Sequence, residues 1–100
     1  MPSLTNYQRG YRLELLAKRE LTTRGYYVVR SAGSHGACDL IALNQKEILL
    51  IQVGMQGAKD EQDFELLRRV PAPTLARRQM WIWVPRVGWE IEELPQLPKL

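Results

Sequence analysis

Leu13, Leu16, Ala17 and Leu21 recur at intervals of three and four residues, a spacing that gathers them on one side of a helix over about residues 4–24. Thr5 or Asn6 suits the N-cap, and Gly25 follows where a C-terminal cap belongs. The pattern then changes. Tyr26-Tyr27-Val28-Val29 is an aromatic and β-branched run that predicts a strand, and residues 31–36 form a Gly/Ser turn. Residues 39–43 and 47–53 are apolar runs parted by Asn44-Gln45-Lys46, which predicts a hairpin of buried strands central in a sheet. Residues 54–58 are expected to loop. A second helix is predicted over residues 60–70, with Phe64, Leu67 and Val70 inward and Asp60, Glu61 and Asp63 near its N-terminus, where the helix dipole favours negative charge. Pro71 and Pro73 end it. Strands at 80–84 and 89–92 flank a turn at 85–88, and a Pro-rich tail starts at Pro95. Helix, three strands, helix, two strands is the order of an α/β sandwich with a central mixed β-sheet flanked by helices.

Length sets the scale: 100 residues sustain one core, so a single domain over residues 1–100 is expected, with modest stability that a partner subunit would raise. Composition is ordinary for a globular protein, with 45% hydrophobic and 25% charged residues. No run of eighteen apolar residues occurs and residues 1–12 lack a signal-type hydrophobic stretch, so no membrane partner and a cytoplasmic location are expected. Cys38 is the single cysteine, which excludes an internal disulfide and thiolate zinc sites. His35 and Cys38 are spaced like a metal pair but have no third soft or imidazole ligand to join them. Any metal chemistry is therefore carboxylate and carbonyl, which selects hard cations.

Net charge is only +3, yet it is unevenly spread. Residues 1–38 carry six basic and two acidic groups, and residues 67–88 carry five basic groups and no acid. Arginines outnumber lysines by ten to four, and arginine is the better bidentate phosphate ligand. Arg9, Arg12 and Arg30, with Ser31, Ser34, His35 and Lys59, are the expected DNA contacts. Solvated helix faces are the plainer reading of the same charges.

Within this frame Glu14 borders the apolar side of the first helix, where a carboxylate is costly unless something binds it. Asp39 opens a strand directly after the Gly/Ser loop. Gln52 and Gly54, two apart in a strand, project to one face while Leu49, Ile51 and Val53 fill the other. If the hairpin pairs as read, Asp39 lies alongside. An acid, a dozen residues, then an acid or amide, a spacer and a base is the layout for metal-assisted phosphodiester hydrolysis, in which the first two side chains hold Mg²⁺ (or Mn²⁺) and the base orients water or offsets developing charge.

The run Arg9-Gly10, Glu14, Glu20-Leu21, Gly25-Tyr26, Val28-Val29-Arg30-Ser31-Ala32-Gly33-Ser34 and Asp39-Leu40-Ile41-Ala42 closely resembles the archaeal-type Holliday junction resolvases of the PD-(D/E)xK nuclease superfamily. The resemblance covers about residues 9–54. It implies a restriction-endonuclease-like core, with Glu14 as the helix-borne acid, Ser34 as a loop hydroxyl near the scissile phosphate, Asp39 as the central metal ligand and Gln52 at the second ligand position. It also implies a homodimer that recognises four-way junctions by shape and backbone charge.

The departure is at the third motif, where the family has Glu-x-Lys and this chain has Gln52-Val53-Gly54. An amide oxygen still ligates Mg²⁺, though with one negative charge fewer. Glycine leaves no side chain to align water or steady the phosphate, a loss on the order of 10² to 10³ in rate. Three explanations stand: a lysine from elsewhere, Lys59 or Lys46, reaches the site; catalysis has been lost; or Gly54 is an engineered replacement. The functional readings that follow are a Mg²⁺-dependent junction-resolving endonuclease, a non-catalytic DNA-binding relative, or a superfamily nuclease acting on nicked or flapped duplex.

Overall fold

The computed structural model describes residues 6–31 and 37–95, with no side-chain detail at residues 6 and 7. Helix α1 (Asn6–Thr23) leads into strands β1 (Tyr27–Arg30), β2 (Leu40–Leu43) and β3 (Ile48–Met55); helix α2 (Glu61–Arg68) precedes β4 (Ala76–Val84) and β5 (Gly88–Leu94). The strands form one sheet in the order β1-β2-β3-β4-β5. Only β3 and β4 run parallel; the other three pairings are antiparallel. That single parallel step is crossed by α2, because parallel neighbours cannot be joined by a tight turn.

The two helices cover opposite faces. Leu13, Ala17 and Leu21 of α1 bury against Val28, Leu40, Ala42, Leu49, Ile51, Val53 and Trp81. Leu67 of α2 packs with Leu50, Met80 and Leu94, joined by the partly buried Phe64 and Cys38. Alternate residues of β3 therefore feed two cores, which is why the strand is apolar along nearly its whole length. Trp89 lies 5.4 and 5.2 Å from the ring centroids of Trp81 and Trp83, so the tryptophans are packing elements. Outside the area covered by α2, Tyr27, Val29 and Ile41 remain exposed. Among the described residues no helix is long and apolar enough to cross a membrane.

Local chemistry explains the boundaries. At the end of α1, Gly25 (φ 94°) takes the left-handed conformation; Tyr26 N–H bonds to Leu21 C=O and Gly25 N–H to Thr22 C=O, closing a Schellman motif. Asp60 caps α2 in a reciprocal box with Asp63. In the β2–β3 turn, Asn44 Oδ1 accepts from the N–H groups of Lys46 and Glu47, both at 2.8 Å.

Four boundaries differ from expectation, the simplest being β5, which runs on to Leu94 instead of residue 92 through its pairing with β4. β3 continues through Gly54 to Met55 where a loop was predicted at 54–58, because Gly54 has no positive φ and pairs in register with Ile82. β4 starts at Ala76 instead of residue 80, since parallel pairing with β3 recruits Arg77, Arg78 and Gln79. The second helix stops at Arg68 instead of residue 70: buried Arg78 donates to the carbonyls of Leu67 and Val70 and satisfies the end of α2 there.

Candidate active site

β2 and β3 place the first two groups. Leu40 pairs with Ile51, and just outside the ladder Asp39 N–H donates to Ile51 C=O at 2.8 Å. Asp39 Oδ2 in turn accepts from Val53 N–H at 2.8 Å, so the carboxylate is clamped across the strand by the backbone. Gln52, only 3% exposed, is bonded at both ends of its amide. Its Nε2 donates to Ala37 C=O at 2.7 Å, and its Oε1 accepts from Lys59 Nζ at 3.0 Å. Asp39, one residue before β2, thus lies across from Gln52 of β3, as the hairpin reading expected.

Glu14 arrives from α1. Its carboxylate lies 2.9 Å from Arg30 Nε, with side-chain exposures of 16% and 23% for the two partners. The Arg30 guanidinium also sits over the Tyr11 ring, 4.5 Å from its centroid. Burial pushes the Glu14 carboxyl above the usual carboxylate range, the charge of Asp39 pushes it further, and Arg30 and then Lys59 pull against that rise. The two carboxylates thus repel each other, which is the electrostatic setting a cation relieves.

Gly54 shares a strand face with Gln52. A Cβ built on it would meet Lys59 Cε at 2.6 Å and Cγ at 2.7 Å. Gly54, Val53, Met55 and Lys59 line a cleft of about 440 Å³ closed on the far side by Arg9, Gly10 and Leu13 of α1. A wider hollow of about 770 Å³ lies by the β2–β3 turn, lined by Gly25, Tyr27 and Leu43 to Lys46, and brings no acid or nucleophile together.

As donors for a metal, Asp39, Gln52 and Glu14 offer only hard oxygen, the chemistry Mg²⁺ prefers, with water and substrate phosphate completing a shell. Among the described residues, however, no three His, Cys, Asp or Glu side chains cluster as a metal site, the Gln52 oxygen accepts from Lys59, and Glu14 is paired with Arg30. Cys38 contributes nothing, as its half-buried thiol donates to Leu40 C=O and burial raises its pKa.

The expected DNA contacts fare unevenly. Arg9, Arg12 and Ser31 are exposed, whereas Arg30 is tied to Glu14 and Lys59 to Gln52. Ser34 and His35 lie outside the described residues. Much of the later basic block is structural: Arg77 bridges Glu47 and Glu93, Arg68 and Arg69 pair with Glu65, and Arg78 is buried. Sequence reasoning missed the Glu14–Arg30 pair, whose one visible signal was a buried-face acid at helical position 14 in need of a partner; it named Lys59, beside Lys46, as a lysine that could reach the site, without identifying its bond to Gln52.

No curated protein sequence matches. Among solved structures the chain is similar to Archaeoglobus fulgidus Hjc, a Holliday junction resolvase from an archaeal hyperthermophile, with a TM-score of 0.72 and 24% identity over 91% of this chain and 80% of that one. The likeness fixes the fold as a restriction-endonuclease-like α/β sandwich. The family model for archaeal Holliday junction resolvase (hjc) matches residues 5–65, which include every site group from Arg9 to Lys59. With more than half its length matched, the chain belongs to the archaeal Holliday junction resolvase family.

Proposed function

We propose that this chain is a structure-specific endodeoxyribonuclease that cuts four-way DNA junctions with the help of a divalent hard cation. The observation that carries the reading is the clamped Asp39 beside the buried Gln52 on adjacent strands, with Glu14 close enough to feel the Asp39 charge. Asp39, Gln52 and Glu14 would hold Mg²⁺ or Mn²⁺, which when bound polarises the phosphate and acidifies water. The backbone N–H of Val53 and the Ala37 carbonyl hold Asp39 and Gln52 in place, and an ion held by Gln52 Oε1 would share that oxygen with Lys59 Nζ.

Exposed Arg9 and Arg12 on α1 supply sequence-independent attraction for phosphates, and Ser34 and His35 are proposed to contact the backbone from the loop before Asp39. A chain of 100 residues is too small to span a junction, and paired cuts need two sites, so we assign the active form to a homodimer acting in the compartment that holds DNA.

The second reading, a DNA-binding relative without catalysis, draws on one observation: β3 carries an amide and a glycine where an acid and a lysine serve this chemistry. Incubating a synthetic four-way junction with Mg²⁺ or Mn²⁺ separates the two. Cleavage abolished by Asp39→Ala or by EDTA is the expected outcome. Tight binding without a cut under either metal refutes the enzyme, and equal affinity for linear duplex removes the junction preference.

A further inference from the structure

We propose that Lys59, from the segment after β3, supplies the active-site ammonium through the space that Gly54 leaves open. The inference rests on the nuclease reading above and concerns how its third group is provided.

The chain beyond Met55 turns back on itself: Ala58 N–H donates to Met55 C=O, and Gly57 adopts φ 82°. Residue 59 is thereby returned to the end of the strand, and the capping box begun by Asp60 anchors it from the other side. Its stem passes where any side chain at 54 would start, since Cε, Cγ and Cδ stand 2.6, 2.7 and 3.2 Å from an ideal Cβ there. Gly54 has no positive φ, so backbone conformation does not call for glycine. The space occupied by Lys59 does.

The ammonium ends 3.0 Å from Gln52 Oε1 and counts among the charges that stabilise ionised Glu14. It therefore sits among the groups assigned to the reaction. A lysine beside a neutral amide keeps its charge uncompensated by that partner, whereas a glutamate there would neutralise it. Gln52 thus weakens the hold on a cation while leaving Lys59 to attract the scissile phosphate and oppose the negative charge that builds on it. A bare structural bond between Lys59 and Gln52 would need the same space at position 54 but not the charge.

The test uses the full-length chain and a synthetic four-way junction. Lys59→Met keeps the stem and removes the charge; the expected single-turnover rate falls about 10² to 10³-fold. Gly54→Ala, which expels the stem, is expected to fall comparably, and the double variant Gly54→Lys with Lys59→Ala to recover most of the rate. In EDTA, Lys59→Met is expected to weaken junction binding and to lower the slope of log affinity against log salt by about one, as loss of one phosphate contact requires. A purely structural role leaves that slope unchanged. Wild-type rate and slope in Lys59→Met, with Asp39→Ala still inactive, overturn the role of Lys59 and spare the nuclease reading. No cleavage by the natural chain in either metal overturns the nuclease reading, and cleavage then gained by Gly54→Lys shows directly that Lys59 does not substitute.

Discussion

Replacing Arg30 with Met should destabilise the protein in a way that depends on pH, because Glu14 would lose its ion-pair partner. The Glu14–Arg30 contact at 2.9 Å lies between the two regimes in which such pairs are understood. Exposed pairs contribute about 0 to 1 kcal/mol, and stranding one member of a fully buried pair costs about 3 to 5 kcal/mol. With 16% and 23% of the side chains exposed, solvent screens part of the charge, and about 1 to 2 kcal/mol is expected. Met keeps apolar contact with Tyr11 but not the cation–π attraction, which adds about 0.5 kcal/mol. For a domain of this size each kcal/mol moves the midpoint by about 4 to 8 °C.

The sign of the pH effect follows from Glu14. Its carboxyl is already raised above 4.5 in the folded state by burial first and Asp39 second, with Arg30 opposing; without Arg30 it rises further. A group whose folded pKa exceeds its unfolded one binds its proton more tightly when folded. Stability must then fall as pH climbs from 4.5 through the folded value. Urea unfolding of Arg30→Met should therefore show its full deficit at pH 7 and a smaller one near pH 4. Glu14→Gln in the same background should restore most of the loss, giving a coupling well above the few tenths of a kcal/mol of independent sites. Equal deficits at both pH values and strict additivity would refute the argument.

Two other outcomes follow from the fold. Gly25→Ala places a Cβ at φ 94° in the Schellman turn and should lower stability by about 1 to 2 kcal/mol in urea unfolding, without altering junction binding. Glu47, held below the usual range by the Tyr26 hydroxyl and then Arg77, and Glu93, held down by Arg77, contribute stability above about pH 4.5 that is lost as pH falls through their folded values. Arg77→Met should flatten that acid limb; because these groups are largely exposed, a loss of about 1 kcal/mol at pH 7 is the ceiling, read from midpoints at pH 7 and pH 3.

What could be read without coordinates, and what could not, divides along the range of the interactions involved. The first helix was legible because Leu13, Ala17, Leu21 and Gly25 are a local pattern closed by a local cap. The Asp39–Gln52 juxtaposition was equally legible, since a short Asn44 turn fixes the hairpin register. Misjudged boundaries all involve distant partners. Gly54 was taken as a breaker, yet its pairing with Ile82, across the crossover, keeps it in the sheet. Arg77 and Arg78 belong to the basic block of residues 67–88, which by charge alone suits phosphate, but their partners Glu93, Glu47 and the α2 carbonyls lie far away in sequence. Lys59 was one candidate beside Lys46 until the turn through Gly57 brought it back over β3.

The parallel step between β3 and β4 also divides labour along the chain. Every group assigned to chemistry precedes the α2 crossover, while β4 and β5 wall off the sheet with Met80, Trp81 and Leu94. The reacting groups therefore occupy one contiguous stretch, residues 14–59, and the later strands act on them only from behind, through the packing of Trp81 against α1 and of Met80 and Leu94 against α2.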